Sequence, residues 1–159
     1  MKSIFFLAAL VLSLGACKNP KNASTETTVL SIKHGTSFGH CRGYCTKEKI
    51  YTPTSCESIE TSRDPEREPA KNSLSDFSES EFKALVATID FDKWNALEER
   101  IGCPDCADGG AEYIEITTTN GTKRVTFEYG ANIEPIQALI NKLRRHKETL
   151  EKSKLEMDK

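Results

Sequence analysis

The sequence predicts an α+β fold: a single small domain with an antiparallel sheet of about four strands, including a 111–130 hairpin, covered by about three helices. Three observations lead there. A capping box precedes Phe82, a strand–turn–strand pattern fills residues 111–130, and a helical apolar stripe follows Pro135.

Taken in order, Thr28–His34 alternates, with Leu30 and Ile32 on one side, and reads as a first strand. A glycine-rich stretch, GTSFGHCRGYC, follows. KEKIYTPT is then a weaker second strand, which Pro53 confines to a sheet edge or to a strand end. Residues 57–75 are charged, hold two prolines and show no apolar period, so they read as a long surface loop.

Ser78-Glu79-Ser80-Glu81 makes a capping box, with Phe77 and Phe82 as its hydrophobic staple. Phe82, Leu85, Val86 and Ile89 continue on one helical face. A second short helix fits Phe91, Trp94, Leu97 and Ile101, capped by Asp90 and closed by Gly102. Both stripes are core surfaces. In the hairpin, Asn120-Gly121 suits a two-residue turn. Pairing outward from it sets Ile116 against Val125 and Ile114 against Phe127, with Thr117 against Arg124 and Glu115 against Thr126 on the other face. A last helix begins near Asn132 or Glu134, with Pro135 in its first turn and Ile136, Leu139, Ile140 and Leu143 as its stripe. The basic run Lys142, Arg144, Arg145, His146 and Lys147 reads as a solvated helix end that complements the helix dipole. The domain spans residues 28–150, and residues 151–159 form a charged tail.

The first residues are of another kind. Lys2 is followed by an apolar run from Ile4 to Leu14, the pattern of a secretory signal. About 11 residues cannot span a bilayer, which takes about 20 in a helix. Leu14-Gly15-Ala16-Cys17 resembles the lipobox of bacterial lipoproteins. Residues 1–16 are thus expected to be a signal peptide, cut before Cys17, whose thiol and new amine take up lipid. Residues 17–27 form the lipidated cysteine and a polar tether. Removing residues 1–16 takes away one lysine and no acid, so 143 residues remain and the formal charge passes from −2 to −3. A near-neutral chain with interspersed signs argues against a nucleic-acid partner.

Six cysteines in a short exported chain point to disulfides. With Cys17 lipidated, five remain: Cys41, Cys45, Cys56, Cys103 and Cys106. The count is odd, and Cys56 is the candidate free thiol. Three readings apply to Cys41/Cys45 and Cys103/Cys106. As disulfides, paired locally or across the two loops, they pin the glycine-rich segments. As metal ligands, with His34 or His40 in support, they offer four thiolates to zinc or copper. As a redox centre, Cys103 would be the attacking thiol of a C-x-x-C motif, although the order helix, motif, strand removes the helix N-terminus that activates such thiols. The three histidines, His34, His40 and His146, lie in no known catalytic motif.

The segment SFGHCRGYCTKEKIY, residues 37–51, carries a C-x-G-x-C core at Cys41, Gly43 and Cys45. It resembles a small domain of unknown function found in lipoproteins of the Bacteroidota, over residues 28–150. The resemblance implies an envelope lipoprotein with no assigned activity or cofactor. Surface-exported lipoproteins of such bacteria tend to carry acidic residues after the acylated cysteine, and Lys18-Asn19-Pro20-Lys21 has none. The expectation is a protein anchored by lipid to the outer membrane and facing the periplasm. It would bind a protein or glycan partner there, with thiol-redox or metal handling as the alternative and no catalytic residue identified.

Overall fold

The computed structural model describes residues 27–146. The signal peptide, Cys17, nearly all of the tether, the last residues assigned to the domain and the charged tail lie outside the described residues. Seven strands form one sheet: β1 (Val29–Ser37), β2 (Tyr44–Tyr51), β3 (Ser55–Ser62), β4 (Lys71–Asp76), β5 (Arg100–Ile101), β6 (Ala111–Thr118) and β7 (Gly121–Glu128). Their order across the sheet is β4-β3-β2-β1-β6-β7-β5. All neighbours are antiparallel except β5 and β7, which run parallel. The fold is α+β, but the sheet is mixed and has seven strands where about four were expected.

The difference lies in residues 57–75. They are not a loop: they form most of β3 and nearly all of β4, and both prolines, Pro65 and Pro69, fall in the turn between them. Cys56 alone of these two strands reaches the core, and the rest of β3 and β4 needs no apolar alternation, because ladder hydrogen bonds and cross-strand pairs hold it. Tyr44 secures that turn, donating its hydroxyl proton to the Pro69 carbonyl at 3.0 Å under the Lys71 ammonium, 4.2 Å from the ring centre. β2 is therefore an inner strand, and Pro53 lies just past its end.

The helices cover one face only. α1 (Glu79–Val86) starts at Ser78 with both capping-box bonds made, and α2 (Phe91–Ala96) is capped by Asp90. α2 stops earlier than its apolar spacing suggests. Leu97 is already extended, and Ile101 belongs to β5. After a short 3₁₀ turn through Pro135, residues 137–146 form α3. Phe82, Leu85, Trp94, Ile136, Leu139, Ile140 and Leu143 pack on Ile32, Tyr51, Cys56, Ile114, Ile116, Val125 and Phe127. Fully burying side chains of this size contributes about 1.5–3 kcal/mol each.

Two register details differ from expectation. The hairpin turn is Thr119-Asn120, so Ile114 faces Val125 and Ile116 faces Lys123. The apolar face is the expected one, but the pairing has slid, which sets Glu112 opposite Phe127 on the covered side. In β1 a bulge between Val29 and Ser31 turns Val29 inward and leaves Leu30 half exposed.

Candidate binding surface at the disulfide end

β1 runs the length of the domain. At its start, Asn120 of the β6–β7 turn donates its side-chain amide to Thr27 at 2.7 Å, and the Thr28 amide donates to Thr119 at 3.2 Å. The chain from the N-terminus therefore enters at that turn. Eight residues after Val29, roughly 26 Å along at about 3.3 Å per residue, β1 ends at Ser37 beside the first cysteine loop.

Both cysteine loops meet there. Cys41 and Cys45 lie at disulfide distance with Cα atoms 5.7 Å apart, and Cys103 and Cys106 likewise at 5.5 Å. The pairing is local in both loops, and each bridge closes only a few residues, which by chain entropy is worth about 2 kcal/mol. Asp105 joins the loops by accepting the Gly39 amide at 2.9 Å. Phe38 reaches over Gly110, where a Cβ would collide with its ring, and meets Tyr129 edge-on with ring centres 4.9 Å apart. Gly110 therefore has to be glycine twice over, since its φ is also +82°. Asp105, Ala107 and Asp108 hold φ of 62°, 50° and 60°, a conformation that costs non-glycine residues free energy and concentrates at functional sites.

The result is a stiffened end surface. A cleft of about 260 Å³ opens between the first cysteine loop and the end of β3, lined by Phe38, Thr46, Thr61, Ser62 and Arg63 among others, with Asp105 the one contribution of the second loop. Beside it, Tyr129 is 49 % exposed.

The surroundings of Cys103 bear on its chemistry. Its amide donates to the Glu128 carboxylate at 2.9 Å, and Asp105 and Asp108 lie in the same loop. Arg100 donates to the Pro104 carbonyl at 3.4 Å, so one cation stands beside three carboxylates; reactive thiolates sit in electropositive surroundings, and this balance does not favour one. His40 is exposed, in the first cysteine loop. Among the described residues, no group of three or more His, Cys, Asp or Glu is placed to hold a metal ion. Cys56, the free cysteine, is fully buried on the covered face of β3, and burial pushes its thiol pKa up against the lowering effects of Lys49 and Ser75.

Sequence reasoning missed a second polar cluster. His34 and Glu112 are buried under α3, and the Glu112 carboxylate accepts from His34 Nε2 at 2.7 Å, Arg144 Nε at 3.0 Å, Arg144 Nη2 at 2.7 Å and the Gly130 amide at 3.2 Å. Burial alone would raise its pKa. The His34 and Arg144 hydrogen bonds and charges overcome that and hold it down to about 2. Alternation contained the signal, since Glu112 is in phase with Ile114 and Ile116, and His34 with Ile32. The basic run on α3 is only in part a solvated end: Arg145 is exposed and Lys147 lies outside the described residues, but the other three are engaged. Arg144 turns inward, His146 packs against Tyr51 and Phe77, and Lys142 donates to the Ala84 carbonyl at 2.7 Å.

No helix among the described residues is long and apolar enough to cross a membrane. Comparison with protein-family models and with curated proteins returned no match.

Proposed function

We propose that this chain is a lipid-anchored cell-envelope module, acylated at Cys17, that holds a protein or glycan partner on its disulfide end. The carrying observation is the placement of that end. The chain enters the domain at the β6–β7 turn, while the paired cysteines, the cleft and Tyr129 lie at the far end of β1. Anchor and partner then use different surfaces.

Tyrosine with one exposed edge and a packed back is a common anchor of binding interfaces. Loops already fixed by bridges also lose little entropy when a partner docks. An export signal, local cysteine pairs and a polar tether without acidic residues after Cys17 agree with a periplasm-facing outer-membrane lipoprotein of the Bacteroidota type.

Two measurements test the reading. Cys17→Ser is expected to release the protein from the membrane fraction of cells, and retention there would overturn the anchoring. A photo-crosslinking residue at Arg63 or Tyr129 is expected to capture a discrete partner in intact cells, and one at Thr122 beside the tether is expected not to. Equal capture from both ends would overturn the assignment of the surface.

A further inference from the structure

We propose that the cleft beside the first cysteine loop takes a single sugar residue that carries a carboxylate, such as a uronic acid at the end of a glycan. The inference rests on the reading of the disulfide end as a binding surface and names its ligand. Ser37 of β1 stands opposite Thr46 of β2, and Thr46 stands opposite Thr61 of β3. Directly opposed residues share a face, so the register sets three side-chain hydroxyls in one row across three strands, at a strand spacing of about 4.8 Å. All three residues line the cleft. Among the described residues none of these hydroxyls has a hydrogen-bond partner, whereas neighbouring Ser62 commits its own to the Glu68 carboxylate at 2.8 Å. None is sealed from solvent either, since no buried side-chain oxygen among the described residues is left unbonded. Each can donate to and accept from whatever enters.

The rest of the lining fits the same ligand. Ligand pockets are mostly apolar with a few polar groups. Here the proportion is reversed, and a ligand that satisfies a row of hydroxyls has to be rich in hydroxyls itself. Phe38, braced edge-on by Tyr129, supplies one aromatic surface for the C–H face of a sugar ring. From the second loop, Asp105 gives Oδ1 to the Gly39 amide at 2.9 Å and leaves Oδ2 unbonded, an acceptor for a ring hydroxyl. At the β3 end Arg63 is exposed, and among the described residues no carboxylate pairs with it. A guanidinium fork binds a carboxylate through two parallel hydrogen bonds, which selects an acidic sugar over a neutral one. The volume of about 260 Å³ falls just under the range of about 300–1,000 Å³ that buries a drug-sized ligand, so the cleft holds one ring and not a chain. A protein partner is anchored by large aromatic or apolar side chains in a desolvated pocket, and Phe38 is the only large apolar side chain in this lining.

Saturation-transfer NMR on the mature full-length chain in detergent micelles reads the binding directly, with glucuronic and galacturonic acid compared with glucose and galactose. At least one of the two acids is expected to bind saturably with a Kd on the order of 1 mM, as suits a one-ring ligand. It should bind about tenfold more tightly than its neutral counterpart, and Arg63→Gln should abolish that preference. Thr46→Val and Thr61→Val are each expected to weaken binding about fivefold at unchanged Tm, and Thr122→Val, near the β6–β7 turn, to leave it as it is. No saturable binding of either acid in the millimolar range, equal binding of acidic and neutral sugars, or indifference to both threonine substitutions would overturn the proposal. The surface itself is read separately by the photo-crosslinker at Arg63 or Tyr129. Capture there of a discrete protein that the free acids do not displace would keep the surface and overturn the sugar, whereas neither capture nor sugar binding would overturn both.

Discussion

Arg144 grips Glu112 with a forked pair of hydrogen bonds, Nε to Oε1 at 3.0 Å and Nη2 to Oε2 at 2.7 Å, and so ties α3 to β6 beneath the sheet's covered face. Arg144 also donates to the Ala131 carbonyl at 2.9 Å, which fixes the chain leading into α3. Removing one partner of a buried pair leaves the other uncompensated, at about 3–5 kcal/mol. Arg144→Met is therefore expected to lower unfolding free energy by that amount in urea titration. Arg144→Lys should recover only part of it, because an ammonium lacks the planar fork. Full recovery with lysine would show that charge alone matters at this site.

Glu79, Glu81 and Asp90 are held down at exposed sites, but acid sensitivity follows chiefly from two depressed groups inside the fold, Glu112 and His146. Glu112 titrates at about 2 when folded, below its unfolded value of 4.5, so its contribution is complete above 4.5 and disappears as pH falls toward 2. His146 is lowered from 6.5 chiefly by burial and then by Lys49, with Glu81 opposing. The unfolded chain therefore takes up its proton first, and stability present above 6.5 declines as pH falls below it. Stability measured from pH 8 to 2 should show both declines. Glu112→Gln should shrink the lower one, leaving the part due to Glu79, Glu81 and Asp90, and His146→Phe should remove the upper.

On the uncovered face, Tyr113 lies across Gly35 and donates its hydroxyl proton to Glu48 on β2, while Arg124 stacks over its ring at 4.3 Å from the centre. A Cβ at residue 35 would run into the ring. Gly35→Ala is expected to cost about 1–3 kcal/mol, as overpacking does. In the Tyr113→Ala background the same change should cost much less, and a double-mutant cycle measures the coupling. Equal costs in both backgrounds would place the strain elsewhere.

Thiol counting tests the cysteine assignments together. Isolated without reductant, the mature chain should offer no rapidly reacting thiol when native and one, Cys56, in denaturant. Reduction should expose four more and lower Tm, since two short bridges contribute about 2 kcal/mol each. Rapid native reaction of Cys103 would revive the redox alternative.

Much of this was legible in the residues because it is local. The cap at Ser78 with Glu81, the cap at Asp90, the four apolar residues of the β6–β7 face and the stripe of α3 each depend on neighbours within a few positions, and all were read correctly. The β3–β4 hairpin was not, because Ser, Glu and Thr at a sheet edge carry no burial pattern. Its strand character comes from ladder bonds between β2, β3 and β4, which pair residues from 5 to 21 positions apart in the chain.

The sequence by itself determined the α+β class, the helix starts and the local spacing that lets Cys41 reach Cys45 and Cys103 reach Cys106. Only the tertiary structure decided that the sheet has seven strands, that Glu112 is buried between His34 and Arg144, and that both cysteine loops share the end opposite the incoming chain. Propensity, capping and short loops act within a turn or two of chain. Strand order and the pairing of buried charges depend on contacts between distant segments, whose geometry exists only once the sheet has assembled.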